Sequence, residues 1–67
     1  MTLTVETATA YATRTIGYPL VVSKAYAHLV DGGETVTVNG TLTWDDGIVS
    51  EFSMDVWTVE GELYGEW

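Results

Sequence analysis

Acids dominate the side chains of this sequence that could do chemistry: ten Asp and Glu stand against two Lys and Arg and one histidine. His28 is the only imidazole, and Ser23, Ser50 and Ser53 are the only serine hydroxyls. None of these serines sits in the Gly-x-Ser-x-Gly turn that exposes a nucleophile. There is no cysteine, so neither a disulfide framework nor a Cys/His zinc site can be built. No glycine-rich phosphate loop, zinc-protease helix or calcium-loop spacing occurs. Asp45, Asp46 and Glu51 could offer oxygens to a hard cation, yet adjacent aspartates more often serve to shape a turn. The carboxylates could in principle work in acid–base pairs. A chain of 67 residues leaves little room for the deep pocket that would tune them. The expectation is a non-catalytic protein with no cofactor and no metal.

The informative side chains are those that combine charge with aromatic surface. The second half holds nine of the ten acids and neither Lys nor Arg, within a net charge of −8. A protein so charged repels nucleic acid and anionic membranes and attracts basic surfaces. Among these acids stand Trp57 and Tyr64, and large aromatics on a polar face resemble the anchors of protein interfaces. Glu51, Asp55, Trp57, Glu62, Tyr64 and Glu66 are therefore the candidate partner-binding residues.

The elements that would position them follow from one turn. If Asp45-Asp46-Gly47 is a three-residue loop with Gly47 left-handed, Trp44 faces Ile48 and the register behind it is set. Val38 then faces Met54 and Val36 faces Val56, all on one apolar face. The opposite face receives threonines, Asn39, Glu51, Asp55 and Trp57. The competing turn at Asn39-Gly40 fails, because it would put Val36 and Val38 on the wrong side of the sheet from Leu42 and Trp44. Residues 35–44 are thus one strand, with Gly40 a bend or bulge that Phe52 can cover. Glu60-Gly61 is a second tight turn. It pairs Trp57 with Tyr64, Asp55 with Glu66 and Met54 with Trp67.

Upstream, Val5, Ala8, Ala12 and Ile16 share a helical face, so a helix is expected from Thr4 or Glu6 to Thr15. Six threonines within residues 2–15 oppose it, and a strand is the alternative. Pro19 suits the first turn of a second helix, Pro19 to Val30, which Gly32 would cap; Leu20-Val21-Val22 could instead open as a strand. Val22, Tyr26, Leu29 and Val30 would form its buried stripe. His28 would lie on its solvent side and favour the C-terminal end of the helix dipole.

The expected architecture is α+β: N-terminal helical segments packed on a three-stranded antiparallel meander, residues 1–67 forming one domain. No apolar run reaches the roughly 20 residues of a membrane span, no basic-then-apolar leader precedes residue 10, and the expected location is cytoplasmic. No motif identifies a family. The leading functional expectation is an acidic binding protein that offers its sheet face to a basic protein, itself part of a nucleic-acid-binding complex in the sharpest version. That version is an inhibitor imitating nucleic-acid charge, of the anti-CRISPR or anti-nuclease type found in phages and mobile elements. The alternatives are a homodimer burying Trp57 and Tyr64, or an ordinary domain of a halophilic or otherwise acidic proteome.

Overall fold

Thr4 opens helix α1, Val5–Ile16, through a reciprocal cap. The Thr7 amide donates to Thr4 Oγ1 at 3.0 Å, and the Thr4 amide donates to Thr7 Oγ1 at 2.8 Å. Two of the first-turn donors that a helix leaves unpaired are thereby satisfied. The threonines that argued against a helix are accommodated inside it: Thr9 Oγ1 donates to the Val5 carbonyl and Thr13 Oγ1 to the Thr9 carbonyl, one turn back. This computed structural model describes residues 2–67. The expected first helix is present at the expected place, and Gly17 ends it in the left-handed conformation.

Four antiparallel strands follow in one sheet: β1 (Leu20–Val30), β2 (Gly33–Thr43), β3 (Val49–Val59) and β4 (Glu62–Glu66), ordered β1-β2-β3-β4. The α+β class holds, but the sheet has four strands rather than three, because residues 20–30 form a strand where a second helix was expected. The reason is a β-bulge. Leu20 pairs with Leu42 and Val22 with Gly40, then the register slips at Ser23 so that Lys24 pairs with Asn39 and Ala25 with Val38. The extra residue changes the spacing of inward side chains from two to three between Val22 and Ala25. That single offset makes a strand read like one face of a helix. Asp31-Gly32, with φ of 50° and 80°, is accordingly a two-residue hairpin turn and not a helix cap.

The β2–β3 register is the one the turn dictates, with Val36 opposite Val56, Val38 opposite Met54 and Gly40 opposite Phe52. The Trp44 amide donates to the Ile48 carbonyl at 2.8 Å, and Asp46 Oδ1 accepts from the Ile48 amide at 2.9 Å. Gly47 has φ 87°. Gly40 remains inside its strand, and the bulge lies across from it on β1. A Cβ at Gly40 would strike the Val21 carbonyl oxygen, so this position is kept bare by the backbone of β1. Trp57 pairs with Tyr64 and Asp55 with Glu66 as expected. Trp67 lies beyond the paired residues, its ring 5.7 Å from Phe52 and 6.5 Å from Trp44.

Only one face of the sheet is covered. Ala8, Ala12 and Ile16 of α1 seal Val36, Val38, Leu42, Phe52, Met54 and Val56. Small residues on the helix and Gly65 on β4 permit the close approach, since a Cβ at Gly65 would sit 2.7 Å from the Tyr11 ring. Each fully buried Val, Leu or Met in this layer contributes about 1.5–3 kcal/mol. A twelve-residue helix is about 18 Å long. Strands of eleven residues run about 36 Å. The helix therefore leaves part of its own face bare: Leu29, whose side chain points to that side, is 70% exposed.

Candidate functional site

The opposite face carries no helix among the described residues. Its residues fall into rows set by strand pairing. One row runs Tyr26, Thr37, Asp55, Glu66. Next to it His28 pairs with Thr35 and Trp57 with Tyr64, and Thr35 and Trp57 border one cleft just past the end of the β2–β3 ladder. Because β1 is a strand, Tyr26 and His28 join this face instead of lying on a helix, and the expected helix-dipole role of His28 does not apply.

A hydrogen-bonded chain crosses three strands here. His28 Nε2 lies 2.6 Å from Thr37 Oγ1, and Thr37 Oγ1 donates to Asp55 Oδ1 at 2.6 Å. Thr37 and Asp55 occupy a non-hydrogen-bonded position of the ladder, where facing side chains come closest. A hydroxyl has one proton, and Thr37 spends it on Asp55, so the Nε2–H of His28 must be the donor to Thr37. That polarity places a proton on Nε2. It is the reverse of what nucleophile activation requires, in which the imidazole accepts the hydroxyl proton. The chain orients the Asp55 carboxylate and leaves its second oxygen without a partner among the described residues.

Asp55 and Glu66 face each other directly across β3 and β4, at a Cα separation of about 5.5 Å. The two cations lie elsewhere: Arg14 is over the Tyr11 ring on the helix, and Lys24 is 5.0 Å from the Tyr26 ring centroid. Beside the carboxylate pair is a cleft of about 610 Å³ lined by Val30, Glu34, Thr35, Asp55, Trp57 and Glu66, among others. Thr35 at its floor is only 6% exposed. Its hydroxyl has no hydrogen-bond partner among the described residues, yet its oxygen is not sealed from solvent. Negative charge, a half-buried indole and an unpartnered hydroxyl therefore meet at one cleft.

Of the six expected partner-binding residues, Asp55, Trp57, Tyr64 and Glu66 come together in two adjacent rows. Glu62 lies one step along β4, opposite Val59. Glu51 is apart: four residues from Asp55 along β3, it is about 13 Å away and borders a different hollow, with Val21, Ser23 and Asn39. Thr35 and Thr37 were expected on this face but not among the site residues, whereas Tyr26 and His28 were missed as part of it. The signal that could have found them was Asp31-Gly32 read as a hairpin, which places β1 beside β2. Asp45, Asp46 and Glu51 do not converge, and the described residues contain no group of three or more acids, histidines or cysteines able to hold a metal ion. No described helix is long and apolar enough to cross a membrane. Comparison of the chain with known protein families, curated proteins and solved structures finds no match.

Proposed function

We propose that this protein is a binding module whose open sheet face docks a basic protein surface, with the cleft at Asp55, Trp57 and Glu66 as its centre. One observation carries the reading: Asp55 and Glu66 are held opposite each other with neither cation of the described chain beside them. A like-charge cross-strand pair costs stability. A cation supplied from outside turns that cost into two charge-assisted hydrogen bonds. An arginine side chain fits the chemistry best, because its guanidinium can bridge two carboxylates while its plane stacks on Trp57. The Thr35 hydroxyl, without a partner among the described residues, can accept one further N–H.

The natural source of such a surface is a nucleic-acid-binding protein, whose groove is lined with Arg and Lys for phosphates. On this reading the acidic face occupies that groove in place of nucleic acid. The test uses the partner retained by the immobilised protein at low salt. Its association should slow by about tenfold or more when Asp55 and Glu66 are both changed to Lys, because steering governs the on-rate. Trp57→Ala should instead speed dissociation. Duplex DNA or RNA added to the complex should displace the protein. A partner whose affinity and salt dependence are unchanged by the double reversal would refute the acidic face as the working surface. Binding that is lost on reversal but indifferent to nucleic acid would keep the face and discard the imitation.

A further inference from the structure

The two edges of the sheet are built differently, and the difference points to a second copy of this chain. The β4 edge is five residues long and carries Glu62 and Glu66, with Glu60 in the turn before it. Shortness and charge are the usual protections of an edge against pairing. The β1 edge is eleven residues long, pairs with β2 on one side and, among the described residues, has no strand on the other. Its bulge protects only the first part, at Ser23. From Lys24 to Val30 it runs regular, with no proline and no acid.

The ladder fixes which groups this edge presents. Val30 and Gly33 flank a two-residue turn, so they exchange hydrogen bonds, and alternate pairs behind them do the same. His28 and Tyr26 therefore spend their backbone groups on β2. Ala25, Ala27 and Leu29 aim N–H and C=O outward, into the open edge. Pairing two such edges about a two-fold axis at Ala27 matches Ala27 with Ala27 and Ala25 with Leu29 of the other copy. About six backbone hydrogen bonds then form between the copies. On the helix side, Leu29, now 70% exposed, would lie against the small side chain of Ala25. On the open side Tyr26 would face His28, and Lys24 would face Val30. No like charges meet.

We infer that this protein dimerises through antiparallel pairing of β1 edges, giving a continuous eight-stranded sheet with both helices on one side. Electrostatics selects this edge. Two chains of net charge −8 repel, and β1 is the strand on which the chain carries no acid, so it is where two copies can meet at least cost. The inference is independent of the acidic face, which would lie uncovered and doubled in extent.

Sedimentation across micromolar to millimolar concentration should give a monomer–dimer equilibrium. Salt should strengthen it, since screening relieves the repulsion between copies; a basic partner's binding would weaken under the same change. Ala27→Pro removes an outward N–H at an edge position where proline is tolerated, and should weaken the dimer by roughly tenfold or more. Hydrogen exchange on the unmodified protein decides the matter even if that variant folds poorly. The Ala25, Ala27 and Leu29 amides should become protected as concentration rises, while the Tyr26 and His28 amides are protected throughout. A chain that is monomeric at every concentration and salt would overturn the inference. So would an association that leaves those three amides exchanging freely, or one that a folded Ala27→Pro variant retains in full.

Discussion

Thr35 and Thr37 are the same residue type, two positions apart on one strand, and each is 6% exposed. Their consequences for stability should nevertheless be opposite. Thr37 holds His28 and Asp55 through one hydroxyl, so Thr37→Val leaves both without their shared partner and should cost about 1–3 kcal/mol. Thr35 has no side-chain partner among the described residues. Thr35→Val removes nothing that is made and should be neutral or slightly stabilising. Urea denaturation of the two variants measures the contrast directly. Equal losses would mean that the hydrogen-bonded chain contributes nothing beyond burial. If the cleft receives an arginine, Thr35→Val should still weaken partner binding, a functional loss without a stability loss.

Among the elements, the bulge in β1 decides how much of the fold could be read in advance. The β2–β3 register followed from Asp45-Asp46-Gly47 and the alternation of Val36, Val38, Leu42 and Trp44, because a turn and a two-residue period constrain each other. The helix was legible from Ala8, Ala12 and Ile16, although its threonines needed the one-turn-back hydrogen bonds to be reconciled. Only the opening of residues 20–30, Leu20-Val21-Val22, was legible as an alternative strand: Ser23 then interrupts the period, and Asp31-Gly32 serves a helix end and a hairpin equally well. With β1 misplaced, Tyr26 and His28 were invisible as part of the candidate face, while Asp55, Trp57, Tyr64 and Glu66 were placed on it because they lie on strands whose register was correct. The same bulge yields a prediction at Gly40. Gly40→Ala would drive a Cβ into the Val21 backbone, which cannot move without tearing the β1–β2 ladder, so the loss should be several-fold larger than for Gly65→Ala. At Gly65 the obstructing atoms are the Tyr11 ring and the Met54 side chain, which can shift at a cost of about 1–3 kcal/mol. Thermal unfolding of the two variants ranks them, and the reverse order would mean that the bulge is not where β1 is closest.

For the whole molecule, the distribution of charge sets stability and partner choice against each other. The described cations are held over Tyr11 and Tyr26, while nine acids share the half of the chain that forms β2 to β4. Mutual repulsion among those acids opposes the compact state and is screened by salt. Thermal stability should therefore rise with sodium chloride across the range where the Debye length shrinks from about 30 Å to 3 Å. Glu66→Lys should turn the Asp55 pair from repulsive to attractive and stabilise the fold by about 0.2–1 kcal/mol at low salt. That gain should fade as salt rises. The same substitution removes half of the site proposed for a basic partner, so the more stable protein should be the poorer binder. An unfolding midpoint indifferent to salt, and a Glu66→Lys variant no more stable than the parent, would show that these carboxylates do not feel one another. The stored repulsion that a partner's cation is proposed to relieve would then be absent, and with it the energetic reason for docking at this face.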